Sequence, residues 1–287
     1  MTSISVIVPV HDGEKHLPGL LEDLRGQSAG DFEVILVDDA SRDGSAAIAE
    51  RAASGAWKAV RHERNLGFIE SCYRGLAESR GDYVCLLNQD LRLRPSFLEA
   101  NRRILDADPS IGILGCRVLD AAGRNWFCGG RIRKGIPQIL TDDFAGVRDV
   151  DWIAGTAACY RRRLLDAIGF FRRRYVMYHE DVELSYRART RGGARVCAFA
   201  DPLASHLAPG ESSSLRRHMY YHYRNLILFQ REHFPAWLPR TLLFYVPGNL
   251  ARVSLSRLPL REKIAYLKGA ARGAADGILR PSSPPRG

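Results

Sequence analysis

Three observations predict an α/β fold built on a mostly parallel sheet flanked by helices. Strand-length apolar runs alternate with segments of helical periodicity through the first half of the chain. These runs are β-branched and continuous rather than alternating, as strands covered on both faces require. Each run also stops abruptly on polar or acidic residues. A βαβαβαβ order of this kind buries all its apolar faces when the strands lie parallel and the helices cover both sides.

The elements follow in order. Ile4–Val10 is the first strand, and Leu17, Leu20, Leu21 and Leu24 then recur at helical spacing up to Gly26. Residues 32–37 form the second strand, broken at Asp38-Asp39. Residues 45–53 read as a helix, 59–62 as a short strand and 70–79 as a helix closed near Gly81. Tyr83–Leu87 is a central strand that stops at Asn88-Gln89-Asp90. Open α/β sheets bind ligands at the carboxyl ends of their strands. His11-Asp12, Asp38-Asp39 and Asn88-Gln89-Asp90 are therefore expected on one edge.

Farther on, 95–107 reads as a helix, 111–118 as a strand and 125–149 as loops with short strands. A strand is expected over 151–160, a short helix over 164–168 and an extended piece over 175–178. Residues 181–190 form a helix stopped by Gly192-Gly193. A strand over 196–200 then leads to His206. The tail turns helical: Met219, Tyr220, Tyr223, Leu226, Ile227 and Gln230 share one stripe, with Arg217, Arg224 and Arg231 on other faces. Residues 281–287 (PSSPPRG) read as a disordered end.

Charge divides the chain. Of 42 Lys+Arg and 32 Asp+Glu, residues 211–287 hold 13 basic and 4 acidic, so nearly all of the +10 lies in the tail. Cys72, Cys85, Cys116, Cys128, Cys159 and Cys197 form no C-x-x-C pair, which argues against a zinc site or a disulfide framework and for buried thiols. Ile4–Val10 is followed at once by His11, Asp12, Glu14 and Lys15, unlike a leader. The charge-free stretch 241–251 is too short to span a bilayer. A cytosolic protein is expected.

Four stretches carry a family resemblance: SVIVPVHDGEKHL, FEVILVDDASRDGS, NLGF followed by GDYVCLLNQD, and DWIAGTAACYRRRLLDAIGFF followed by YVMYHEDVELSYRARTRGG. In joint order and spacing they resemble the inverting family-2 glycosyltransferases of the GT-A fold, and among these bacterial rhamnosyltransferase-like members. The resemblance covers roughly residues 3–210. It implies a transferase domain over 1–210, with 211–287 as a basic amphipathic helical extension.

The resemblance also implies roles. Asp39 accepts a hydrogen bond from the imide N–H of uracil or thymine, which favours a UDP- or dTDP-sugar. Pro9, Val10 and His11 flank the base, and Asn65 and Gly67 match an N-x-G turn beside the nucleotide. Asp90 holds Mg²⁺ or Mn²⁺ against the donor diphosphate, because an acidic edge binds a polyanion only through a cation. Asn88 stands where the family often has a carboxylate and contacts the donor directly or through water. His206 is implied as a further metal ligand, and imidazole suits Mn²⁺ better than Mg²⁺. Asp181 is implied as the general base, with an ordinary aspartate pKa of about 3.9 and Glu180 beside it. Gly155 and Thr156 match the acceptor-site loop.

Local structure offers competing roles: an Asx turn for Asp90, helix capping for Asp39 and Asp181, a surface position for His206. Residues 207–214 could close as a lid, and Trp126 and Trp152 could face sugar or core. A nucleotidyltransferase would share the acidic edge, but its glycine-rich loop with a lysine is reduced here to Gly13 and Lys15. Asn88 also leaves open a non-catalytic sugar-nucleotide-binding module. The tail interleaves arginines with Trp, Phe, Tyr and Leu and carries no sequence-specific nucleic-acid motif. Over 211–280 it suits an anionic membrane surface, or else a solvated face on helices packed against the body. On the first alternative the enzyme sits peripherally at the inner face of the plasma membrane and meets a glycan or polyprenyl-linked acceptor.

Overall fold

A computed structural model describes residues 3–207 and 214–279. The expected lid over 207–214 falls mostly, and the expected disordered end over 281–287 wholly, outside the described residues. The parallel half of the sheet follows the apolar runs: β1 (Ile4–Val10) pairs with β2 (Phe32–Asp38) and β4 (Tyr83–Leu87), and β2 pairs with β3 (Trp57–Arg61). Helices α1 (Leu17–Arg25), α2 (Ser45–Ala52) and α3 (Phe68–Glu78) connect these strands, so the architecture is the expected one.

The other half is mixed. β6 (Ile111–Asp120) is followed by the short strands β7 (Asn125–Phe127), β8 (Gly130–Arg133), β9 (Ile136–Ile139) and β10 (Val147–Asp149). β6 and β12 (Arg195–His206) run parallel, whereas β11 (Ala157–Arg161) is antiparallel to both β4 and β6. Helices α4 (Phe97–Ala107), α5 (Arg162–Ile168) and α6 (Glu180–Thr190) lie between these strands in the chain.

Five expectations are corrected. The strand expected over 151–160 begins only at Ala157, because Asp151 and Trp152 turn aside to Gly130 and Ile132. The piece expected to be extended over 175–178 is a turn, with φ of +64° at Val176, +63° at Tyr178 and +65° at His179. A strand of three residues, β5 (Leu91–Leu93), follows Asp90 and pairs with β12. β12 itself passes Asp201-Pro202 by an irregularity between Phe199 and Ala204, so His206 ends the strand rather than following it.

The fifth concerns the cysteines. Cys85 on β4 and Cys159 on β11 stand directly opposite in register and are joined by a disulfide. A separation of 74 residues gives no hint of that pairing before the strands are aligned. Cys72, Cys116, Cys128 and Cys197 are buried thiols, as expected.

The tail begins with α7 (Leu215–His233), whose Leu228 and Phe229 enter the main core. Arg224, expected off the apolar stripe, is 1% exposed and donates to the carbonyl of Arg174. α10 (Leu260–Leu279) lies against α7 through Gly269, Gly273 and Gly277. A Cβ at Gly269 or Gly273 would overlap the carbonyl oxygens of Arg216 and Tyr220. Gly273→Val is therefore expected to cost about 3 kcal/mol by overpacking. The control Gly248→Ala meets nothing within 4 Å, and should stabilise by about 0.5–1 kcal/mol through helix propensity. Urea unfolding of both variants checks the pair; equal midpoints would show that the glycines do not set the spacing.

Candidate active site

The carboxyl ends of β1, β2 and β4 are tied together by side chains. His11 N–H donates to Gln89 Oε1 at 2.9 Å, and Gln89 Nε2 donates back to the His11 carbonyl at 3.0 Å. Gln89 thus braces the two strand ends, and a side chain at Gly13 would collide with it. The His11 ring lies against the Asp39 carbonyl at 2.9 Å and against Asn65 Nδ2 at 3.1 Å.

Asp39 is buried and organises the N-x-G turn. Its Oδ1 accepts from Leu66 N at 2.8 Å and lies 2.9 Å from His62 Nδ1, and its Oδ2 accepts from Gly67 N at 2.7 Å. Gly67, with φ of +91°, supplies the left-handed conformation that this turn needs. Capping of α2 falls to others: Asp43 Oδ1 accepts from Ser45 N and Glu14 Oε2 from Gly44 N. Pro9, Val10, His11, Asp39, Asn65 and Gly67 therefore meet at one end of the sheet.

A second cluster forms around Asp90. Pairing of β5 with β12 sets His206 opposite Leu91, so that His206 Nε2 lies 3.1 Å from the Asp90 carboxylate. Trp126 packs edge-on against the imidazole, with ring centroids 4.7 Å apart. Trp152 instead joins the core beside Phe127. His206 is 5% exposed, and its Nδ1 has no partner among the described residues.

These residues fit a divalent cation. One carboxylate oxygen and one imidazole nitrogen about 3 Å apart match neighbouring ligands on an ion bound at about 2.1 Å. Among the described residues, one group of three ligand-type side chains also gathers closely: Glu183, Glu232 and His233. Arg172 and Arg187 hold Glu183, and Arg172 and Arg174 hold Glu232, so guanidinium groups already supply the positive charge there.

The third cluster is reached from the second through the backbone. Asn88 N–H donates to the Thr156 carbonyl at 2.9 Å, and Gly155 N–H donates to Asp181 Oδ2 at 3.1 Å. Asp181 Oδ1 also accepts from Val182 N at 2.7 Å, but Asp181 lies inside the first turn of α6, whose N-cap position is His179, so it is not the helix cap. Burial nevertheless pushes Asp181 up to about 6, against the lowering effect of the Gly155 and Val182 N–H groups. This corrects the expectation of an ordinary aspartate. Glu180 is raised further, first by burial and then by the charge of Asp181, and its Oε2 has no partner among the described residues. Both carboxyls are thus held above the ordinary carboxylate range, Glu180 the more strongly.

Asn225 and Arg224 were not legible as part of this region. Asn225 Nδ2 reaches the carbonyls of Tyr175, Met177 and Tyr178 at 2.7, 2.7 and 2.8 Å, and its Oδ1 accepts from Arg224 Nη1 at 2.8 Å. Together they pin the left-handed turn that leads into Glu180-Asp181. The one available signal is a polar pair standing between apolar residues on a helix.

A mostly parallel sheet flanked by helices, with these three clusters along its edge, has the GT-A architecture. The family model for glycosyl transferase family 2 matches residues 5–169, and the chain belongs to that family. It is 26% identical to an N-acetylglucosaminyl-diphospho-decaprenol L-rhamnosyltransferase of Mycobacterium tuberculosis (strain CDC 1551 / Oshkosh), over 94% of this chain and 99% of that protein. It is 35% identical to an undecaprenyl-phosphate 4-deoxy-4-formamido-L-arabinose transferase of Pseudomonas fluorescens (strain Pf0-1), over 39% of this chain. It is also 32% identical to an uncharacterized glycosyltransferase of Haemophilus influenzae, again over 39% of this chain. The matches span only 34% and 37% of these last two proteins.

Two solved structures share the fold. TarS 1–349 of S. aureus in complex with UDP-GlcNAc superposes with a TM-score of 0.63 at 19% identity, covering 96% of this chain and 81% of that one. The mannosyltransferase PcManGT of Pyrobaculum calidifontis, in complex with GDP-Man and Mn²⁺, gives 0.61 at 16%, covering 96% and 87%.

Proposed function

We propose that the chain is a metal-dependent inverting glycosyltransferase of bacterial cell-surface polysaccharide synthesis. It moves a sugar, with rhamnose as the leading candidate, from a dTDP- or UDP-sugar to a polyprenyl-linked glycan acceptor at the inner face of the plasma membrane. Residues 1–210 form the transferase body and 211–287 its extension. The observation that carries this reading is the path from Asp181 through Gly155-Thr156 to Asn88, two residues before Asp90. A buried carboxylate beside the loop that adjoins the strand end before Asp90 supports this reading. The full-length match to a decaprenol-linked rhamnosyltransferase supports the choice of sugar and acceptor.

In this reading the nucleobase lies against Pro9, Val10 and His11. Asp39 Oδ2, which among the described residues accepts only from Gly67 N, keeps a lone pair for the imide N–H of uracil or thymine. Asn88 faces the donor. Asp90 and His206 hold a divalent cation, which supplies Lewis-acid neutralisation of the diphosphate when bound. Asp181 takes the proton from the acceptor hydroxyl as that oxygen attacks the anomeric carbon. The bond to the diphosphate breaks on the opposite face, its electron pair leaves on the phosphate oxygen, and the configuration inverts.

Turnover of a panel of dTDP- and UDP-sugars with a polyprenyl-diphospho-GlcNAc acceptor tests the proposal. Asp90→Ala should lower turnover by roughly 10²–10³-fold, the effect of losing several kcal/mol of charge stabilisation. Wild type should lose activity in EDTA and regain it with Mn²⁺ or Mg²⁺. Full activity in EDTA would remove the metal from the mechanism.

A further inference from the structure

The basic tail divides into two surfaces. α7 turns its apolar stripe inward, with Tyr223, Leu226, Ile227, Leu228 and Phe229 all buried. The helical stretch that follows behaves differently. α8 (Leu238–Arg240) continues through a π-helical turn (Thr241–Tyr245) into α9 (Val246–Leu255), and its apolar residues lie on both sides. Thr241, Val246 and Val253 are buried, and Leu242, Tyr245 and Leu250 pack around Tyr223, Ile227, Ala270 and Ala274. Leu243 and Phe244 are nevertheless 68% and 69% exposed, and Leu255 is 87% exposed. Phe244 and Leu255 are eleven residues apart, about three helical turns, so they face the same way. Leu258, Leu260 and Ile264, in the turn after α9 and the start of α10, are also exposed.

A helix with apolar residues on opposite sides is normally covered on both. The charges say what covers this one. No Asp or Glu occurs from 233 to 261, while Arg240, Arg252, Arg257 and Arg261 lie in that stretch, all exposed. No helix among the described residues is long and apolar enough to cross a membrane. An in-plane helix with an apolar edge, flanked by four arginines and with Glu262 the one acid between 240 and 264, matches the interface of an anionic bilayer.

We infer that the outer face of 240–264 is a docking surface for anionic phospholipid. Phe244, Leu255 and Leu260 enter the acyl boundary, and the four arginines lie among the head groups. This narrows the site to one edge of the tail and gives α7 and the inner side of α10 no part in it. It rests on the proposed lipid-linked acceptor only for its purpose, and binding can be measured apart from turnover.

The test is flotation of the full chain with phosphatidylcholine vesicles, with and without phosphatidylglycerol as the anionic lipid to which basic segments are attracted. Wild type should float at least tenfold more with the anionic vesicles. Phe244→Glu/Leu255→Glu/Leu260→Glu should lose that binding while keeping its melting temperature and its turnover of a short-chain, water-soluble acceptor. Arg252→Gln/Arg257→Gln should lose part of it and become less salt-sensitive. The inference is overturned if wild type ignores anionic vesicles, or if the triple variant binds them as well as wild type. It is also overturned if the triple substitution merely converts a dimer to a monomer, which would make the face an interface between copies. Vesicle binding without transfer of any sugar would leave this inference standing and remove the proposed activity.

Discussion

Asp181→Asn is expected to lower turnover by about 10²–10⁴-fold, the range that removal of a general base commonly costs, with little change in donor KM. The variant keeps the size of the side chain and its place between Gly155 and α6, so it removes the proton acceptor and little else. In wild type, log kcat/KM should fall with unit slope as the pH drops through about 6, the value to which burial raises this carboxyl. The variant's residual rate should lack that limb. Turnover within tenfold of wild type would assign the base elsewhere.

Stability gives a second readout with a definite sign. A carboxyl raised in the folded state favours folding most when protonated, so its contribution is full below 3.8 and is lost as the pH rises through about 6. At pH 8 the ionised group therefore costs about 3 kcal/mol. Asn escapes that cost. It also gives up one acceptor, because a single amide oxygen cannot serve both Gly155 N and Val182 N, a loss of about 1–3 kcal/mol. The variant should match wild type at pH 8 and be the less stable of the two at pH 4.5. Denaturant unfolding at the two pH values checks the crossover.

The parallel half of the fold was legible because its strands obey one pattern. Ile4–Val10 and Tyr83–Leu87 agree residue for residue, each a buried run closed by polar residues. The mixed half was less so, for reasons of length and partnership. Leu91–Leu93 is too short to show a period, and it is a strand only because β12 returns beside it. Asp151 and Trp152 leave the expected strand for partners twenty or so residues back. The disulfide depends on strand register, and the glycines of α10 read as composition until α7 is set against them.

At the candidate site, residue types and strand ends were legible because a parallel sheet sends its loops to one edge. Side-chain pairing was not. Asp39 could be placed beside Asn65 and Gly67, but not its acceptance from Leu66 and Gly67 N–H groups, which needs the path of the turn. The raised pKa of Asp181 likewise depends on what buries it, and much of that comes from segments distant in sequence.

Asn225→Ala is expected to lower kcat by about 10²-fold, the cost of a small misplacement of a reacting group, with donor KM nearly unchanged. Asn225 touches neither strand end nor Asp181; it holds the turn that delivers Asp181. Val176, Tyr178 and His179 are each non-glycine residues at positive φ, a conformation costing about 1–3 kcal/mol apiece that persists only where its surroundings enforce it. One amide nitrogen against three carbonyls is that enforcement, and Arg224 fixes the amide's orientation through Oδ1. Truncation leaves those carbonyls without their donor, at about 1–3 kcal/mol for each that water cannot reach, and lets the turn relax toward ordinary φ. Asn225→Asp is the sharper variant, since it keeps the shape but turns oxygen instead of N–H toward the carbonyls. It should fall further in kcat than Asn225→Ala, whereas a role in packing alone would make the isosteric change the milder one. Steady-state kinetics of both variants, with donor KM followed separately, distinguishes positioning of the base from general loss of structure.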